Sequence, residues 1–372
     1  MYQAPLPPEY AGLTDEQASD RIARAKQSLG RRLTILGHHY QRDEVIKHAD
    51  FIGDSYKLAN NAADSAEAEF IVFCGVHFMA ESTDILTPPR QKVILPNLAA
   101  GCSMADMANH FQVRSCWKQL AEVTDTSQIV PVTYINSAAN LKAFVGENGG
   151  TVCTSTNAPQ ALEWAFTLGS KVLFFPDQHL GRNTGVKMGY DHVRDMVLWD
   201  PFKPLGGNTP ERIREATFIL WKGHCSVHGR FKLEQVTNAR REHPDVNILV
   251  HPEVPMEVAD ASDFMGSTEY IINTVQNAKP GTKWAIGTEI NLVSRLANNN
   301  PDKTVFCLDP QICPCSTMYR IHPSFLCWVL EELVAGRVMN QVSVPDEVRA
   351  PALKALEQML RLGPKRQALA VD

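Results

Sequence analysis

Three times along this chain an apolar, β-branched run stops at a cluster of polar side chains, and three times a later apolar run stops just short of a cysteine. The clusters are TILGHHY (Thr34 to Tyr40), PVTYIN (Pro131 to Asn136) and NILVHPE (Asn247 to Glu253). The cysteine runs are VILPNLAAGC, FILWKGHC and VFCLDPQICPC, which end at Cys102, Cys225 and Cys315. Candidate strands fall at 33–36, 70–73, 93–95, 129–134, 172–175, 217–220, 247–250, 270–272 and 304–308, with helical stretches between them. Strands alternating with helices imply parallel sheets covered on both faces. The expected fold is therefore α/β, as three α/β/α units with small parallel sheets in a pseudo-threefold arrangement around a central cleft. Ligands of open α/β sheets bind outside the carboxyl ends of the strands, which is where the polar clusters lie.

At 372 residues the chain exceeds one ordinary core. The units are expected at 1–101, with an N-terminal arm, at 102–224 and at 225–315. Residues 316–372 are expected to form helices that pack back on the first unit. Thr14 is a candidate N-cap for the amphipathic segment DEQASDRIARAKQSL. A formal charge of -5, from 36 basic and 41 acidic residues, gives no bulk attraction to nucleic acid or anionic membrane. No apolar run reaches transmembrane length, and MYQAPLPPEYAGLTDEQ lacks the basic flank and apolar stretch of a secretory signal, so a cytoplasmic protein is expected.

Nine cysteines in a chain that needs no staples point to buried thiols, metal ligands or nucleophiles rather than disulfides. Cys102 (AAGCSMADM), Cys225 (KGHCSVHGR) and Cys315 (CPCSTM) sit at strand ends in three separate parts of the chain. Three soft thiolates can hold an iron–sulfur cluster and leave one iron open. Their wide spacing matches no local cluster motif, and a lone glycine-flanked cysteine is usually a plain thiol. Zinc competes, since CPC and HCSVH offer sulfur and nitrogen ligands, but CPC is shorter than a zinc knuckle and no second close pair accompanies it. Cys74, Cys116, Cys153 and Cys327 read as structural thiols; Cys307 and Cys313, near Cys315, suit a redox role or, more simply, buried packing.

His38 and Tyr40 leave a strand two residues apart, on one face if extended geometry continues. Such a tyrosine can pass a proton or hold a carbonyl, and such a histidine can anchor a carboxylate or phosphate. Closing the strand is the plainer role, and the one expected of His39. Tyr134 and Asn136 alternate in the same way. His251 and Glu253, across Pro252, suit an acid–base couple or an ordinary ion pair. Ser55 in GDSYKLA and Ser155 and Asn157 in CTSTNAP precede or open helices, where backbone N–H groups favour an anion, and GST (Gly266 to Thr268) is a third anion-binding candidate. Capping explains each alone, whereas three together suit a ligand carrying several carboxylates or phosphates. Arg182 and Lys222 read as solvated charges.

As an ordered set, GHHYQRDEVIKHADFIGDSYKLA, FCGVHFMAESTDILTP, LPNLAAGCSMAD, VTYINSAANLKAF, CTSTNA, GHCSVH, VHPEVP, GST and CPCSTMYRIHP resemble bacterial quinolinate synthases from about Gly37 to Pro323. The resemblance implies a 4Fe-4S cluster with one open iron site, held by Cys102, Cys225 and Cys315. It implies condensation of iminoaspartate with dihydroxyacetone phosphate to quinolinate, with loss of phosphate and two waters, in NAD biosynthesis, the cluster acting as a Lewis acid. It also implies a functional link to the L-aspartate oxidase or dehydrogenase that makes the imine. Substrate residues map onto His38, Tyr40, Ser55, Tyr134, Asn136, Ser155, His251, Glu253 and Thr268. In that reading Glu253 and Tyr40, helped by His251, move protons, while Ser55, Ser155, Asn136 and Thr268 hold anionic groups. The loop before TSTNA is long, which leaves Thr154 and Thr156 as alternatives to Ser155. Cys315 is preferred to Cys313 on the spacing of the following STM. An iron–sulfur hydro-lyase acting on a small hydroxy acid is the rival enzyme. A cluster-based sensor binding nucleic acid is disfavoured by the acidic balance and the lack of a basic recognition helix.

Overall fold

The computed structural model describes residues 3–65, 67–311 and 314–363; Cys313 lies outside them. Three sheets form. The first has the spatial order Gln341–Val342, Lys92–Ile94, Phe70–Cys74, Leu33–His38, Phe51–Gly53, parallel except for Gln341–Val342. The second is all parallel, in the order Thr151–Cys153, Ile129–Tyr134, Lys171–Phe175, Phe218–Trp221, Met196–Trp199. The third, also parallel, runs Phe264–Met265, Val246–Val250, Lys283–Gly287, Thr304–Cys307. Their central strands are buried along most of their length, Phe70–Cys74 and Ile129–Tyr134 completely. That is why they read as continuous apolar runs rather than alternating ones.

Two expectations about elements need correction. Residues 270–272 are helical, inside Thr268–Gln276, not a strand. Ser267 caps that helix through the Tyr270 amide, and Ile271 and Val275, one turn apart, are buried while Tyr270 is exposed. A period of 3.6 over nine residues outweighs a three-residue run of good strand formers. The strand Lys283–Gly287, central to the third sheet, escaped notice because Ala285 and Gly287 dilute its β propensity.

The closing helices do not all return to the first sheet. Pro323–Val334 packs on Asp15–Leu29, with Glu331 accepting from Arg21 and from Tyr10 Oη at 2.9 Å. Asp346–Arg361 lies instead mainly against Ala139–Glu147, beside the second sheet. Gly146 allows this approach: a Cβ there would sit 1.9 Å from the Pro351 carbonyl oxygen. Asn157 Nδ2 donates to Met359 O at 3.0 Å, tying the same helix to the start of Ala158–Leu168. No helix among the described residues is long and apolar enough to cross a membrane.

Candidate active site

The carboxyl ends of the three sheets converge on one cavity. His38, Tyr40, Ser55, Cys102, Tyr134, Asn136, Ser155, Cys225, His251, Glu253, Thr268 and Cys315 all line it. No lysine or arginine is among the described lining residues.

The first and third sheets contribute through the same local device. The Tyr40 amide donates to His38 Nδ1 at 3.2 Å, and the Glu253 amide donates to His251 Nδ1 at 3.4 Å. Both rings therefore carry their proton on Nε2 and are neutral. Burial holds both histidines down to about 3, with neighbouring histidines adding to it (His39 and His251 at His38, His228 at His251). An unfolded histidine takes its proton near 6.5, so between that value and about 3 the unfolded chain binds the extra proton and acid favours it. Comparing His251→Asn with the parent by urea unfolding of cluster-free protein, the balance is expected to move against the parent by about 1.4 kcal/mol per pH unit from about 6 to 4. A gap independent of pH would contradict a neutral buried His251.

Glu253 is the centre of the polar network. Tyr134 Oη donates to its Oε1 at 2.6 Å, and His228 Nδ1 lies 2.7 Å from its Oε2. Burial opposes a charge on Glu253, but His228 and His251 beside it, with the hydrogen bonds from His228 and Tyr134, outweigh burial and hold the carboxyl below its ordinary range. With Nδ1 donating to this carboxylate, His228 Nε2 is left to accept from Thr288 Oγ1 at 3.0 Å or Tyr40 Oη at 3.4 Å. His228 stacks on His251, with ring centroids 4.4 Å apart. Burial and the Glu253 charge keep the Tyr40 and Tyr134 phenols protonated.

Sequence reasoning treated His228 only as one half of a zinc-like pair with His224 around Cys225. Its partner Glu253 lies 25 residues away and Thr288 lies 60 away, so no local pattern could reveal it. Asp54 was also missed. It caps Ser55–Asp64 through the Lys57 amide at 2.9 Å and accepts from Thr156 Oγ1 at 2.6 Å. Thr154 likewise bonds Asn157, so both threonines flanking Ser155 spend their hydroxyls within the protein. Asn136 Oδ1 is buried at the cavity without a partner among the described residues, an acceptor left for a ligand donor. Arg182 is partly buried beside Gln178 rather than solvated, while Lys222 pairs with Asp200 at the surface. His39, buried, bonds Glu269 at 2.9 Å.

The three cysteines share one turn. The carbonyls of Cys102, Cys225 and Cys315 accept from the amides of Asp106, Gly229 and Tyr319, four residues on, at 3.2, 2.9 and 2.9 Å. A 3-10 turn starts three residues after each, at Ala105–Met107, His228–Arg230 and Met318–Arg320. A serine follows every one of them, a repeat visible in the sequence. Backbone amides of Ala105 and Met104 point at the Cys102 sulfur, and those of His228 and Val227 at the Cys225 sulfur. Such donors suit thiolates.

A family match decides what this arrangement belongs to: the family described as quinolinate synthetase A protein covers residues 20–361. The chain belongs to the quinolinate synthase family. It is 59% identical to a quinolinate synthase of Corynebacterium glutamicum, over 97% of this chain and 92% of the relative. Quinolinate synthases of Herpetosiphon aurantiacus (54%, 95% of each chain) and Streptomyces coelicolor (56%, 94% of this chain and 89% of the relative) are similar to it as well. The chain's function is accordingly that of a quinolinate synthase in NAD biosynthesis.

Quinolinate synthases need an iron–sulfur cluster, and the donors here fit one. Enclosure pushes the Cys102 thiol up to about 12, with Cys315 nearby adding to it, and lifts Cys225 well above its ordinary value, with Glu253 and Cys102 adding to it. As bare thiols these sulfurs oppose one another's ionisation, and a cationic centre removes that conflict. Cys225, His228 and Glu253 also bring donor atoms within 4.8 Å of one another, a set that suits zinc. His228 and Glu253 already satisfy each other, however, which leaves the three thiols as the better set. Cys74, Cys116, Cys153 and Cys327 are buried away from this cavity, and Cys307 lines a different one.

Proposed function

We propose that this chain condenses iminoaspartate with dihydroxyacetone phosphate to quinolinate in the cytoplasm, releasing phosphate and two waters. The observation that carries the reading is the contact chain Tyr134–Glu253–His228–Tyr40 inside a cavity that also holds three cysteines. When bound, a 4Fe-4S cluster held by Cys102, Cys225 and Cys315 supplies a Lewis-acidic iron with one open coordination position.

The chain's own residues supply binding and proton transfer. Forming the ring requires protons to leave carbon and nitrogen and to reach departing oxygens. Glu253, ionised at neutral pH, is the base. Tyr40 is the acid at the other end, and His228, within hydrogen-bond reach of both, fixes the two groups relative to one another. His251 stacks on His228 and, with His38, presents an Nε2–H donor without adding charge. The substrates carry carboxylates and a phosphate, yet no lysine or arginine lines the cavity among the described residues. Ser55 and Thr268 instead open helices of ten and nine residues, whose N-terminal amides and partial positive charge favour anions. Ser155 and Asn136 complete the cradle. The imine comes from an aspartate-oxidising enzyme, oxidase or dehydrogenase, as a functional partner.

Anaerobic incubation of the cluster-loaded enzyme with freshly generated iminoaspartate and dihydroxyacetone phosphate is expected to yield quinolinate and phosphate in equal amounts. Dehydration of a simple hydroxy acid with no pyridine product would favour the hydro-lyase instead.

A further inference from the structure

Tyr40 belongs to the first sheet, but what fixes it comes from the third. Its loop leaves strand Leu33–His38 and turns towards helix Ile290–Asn299, which follows the central strand of the third sheet. Three consecutive carbonyls of that loop are taken by two side chains of the helix. Arg295 Nη1 donates to His39 O at 2.9 Å, Asn291 Nδ2 to Tyr40 O at 3.2 Å, and Arg295 Nη2 to Gln41 O at 2.7 Å. The remaining guanidinium donor, Nε, meets Asp43 Oδ1 at 2.7 Å. Residues 291 and 295 are one turn apart, so both face the same loop. Just before the helix, Thr288 Oγ1 lies 2.8 Å from the Tyr40 phenol oxygen.

The segment is itself well anchored. Glu289 caps the helix, accepting from the Asn291 amide at 2.8 Å, and its other oxygen accepts from Asn291 Nδ2 at 2.9 Å and from the Cys315 amide at 3.2 Å. Asn291 thus has its amide plane fixed before it reaches Tyr40. Gln41, next along the loop, donates from Nε2 to Met318 O at 3.2 Å, in the turn that follows Cys315.

We propose that Arg295, with Asn291, is a positioning residue for Tyr40: a clamp by which the third sheet's helix sets where the first sheet's phenol stands relative to His228 and Glu253. The proposal rests on the reading of Tyr40 as a proton-moving residue. A planar guanidinium can fork across two carbonyls and an acid at once, and a lysine ammonium cannot. Small displacements of a reacting group carry large rate penalties, so an intact fold with a loosened loop turns over slowly.

The test uses the cluster-loaded full chain and four variants. Arg295→Lys is expected to lower kcat about tenfold with KM within about twofold of the parent, since a shifted proton donor weakens the transition state and not substrate binding. Asp43→Asn, which breaks the ion pair and leaves both carbonyl bonds, is expected to stay within about twofold of the parent. In Tyr40→Phe the phenol is gone, so adding Arg295→Lys is expected to cost less than about a further twofold. Hydrogen exchange of the 37–43 peptide, in cluster-free and loaded protein, is expected to quicken in Arg295→Lys while that of 129–134 stays unchanged.

A tenfold loss that carries undiminished into the Tyr40→Phe background, an equal loss in Asp43→Asn, or unaltered exchange over 37–43 would each overturn the clamp while leaving Tyr40's role standing. Tyr40→Phe at parental turnover would overturn that role, and the clamp with it.

Discussion

Glu253→Gln is expected to lower kcat about a thousandfold, within the range for removing a positioned general base, and to leave the fold intact. The replacement keeps the shape. Tyr134 Oη still finds an oxygen at the Oε1 position, and the new amide donates to His228 Nδ1 once that ring moves its proton to Nε2, which then donates to Thr288 or Tyr40. Every hydrogen bond survives and only the charge and the basic lone pair are lost. Steady-state turnover separates the two, because a purely structural carboxylate would leave the variant within about tenfold of the parent. The melting temperature serves as the control: because the fold holds this carboxyl below its ordinary range, neutralising it is expected to lower the melting temperature, and turnover is compared only where the variant is still folded.

The second large effect belongs to the cysteines. Cys102→Ala, Cys225→Ala and Cys315→Ala, each purified without oxygen, are expected to lose the four irons of the parent and to lose turnover by about a thousandfold or more. Each variant leaves two thiols on a centre that needs three, and the described cavity wall offers no fourth thiol to replace the one removed. Cys307→Ser, at a residue lining a separate cavity, is expected to keep its iron. Retained iron in Cys315→Ala together with loss in Cys313→Ala would transfer the third ligand to Cys313. Retained iron in all three alanine variants would end the assignment altogether.

Much of this site was readable because a doubly covered parallel sheet writes its strands as unbroken apolar runs and leaves its chemistry at their ends. His38, Tyr134 and His251 stand at or just past such ends, and the polar residue two positions on is the one brought into the cavity with each. Ser55, Ser155 and Thr268 stood out as anion-binding candidates in glycine- and serine-rich turns, and the ordered motifs then tied them to substrate. What stayed hidden depends on contacts between sheets. Arg295 looks like any basic residue on an amphipathic helix until Tyr40's loop is laid across it. His228 gains its meaning only from Glu253 and Thr288. The Cys-Ser repeat was legible and went unused, because a two-residue pattern is too short to stand out before the three turns are seen to coincide.

The antiparallel strand Gln341–Val342, paired to Lys92–Ile94, has a consequence for how the protein comes into being. During synthesis the flank of Lys92–Ile94 must wait, with unpaired amides and carbonyls, until residues 341–342, about 250 positions later, have left the ribosome. The same late stretch brings the Val344 amide and Arg349 to Asp84. A nascent chain halted before residue 341 would therefore expose a sticky border to its neighbours, and chaperone capture should be heaviest on such stalled products.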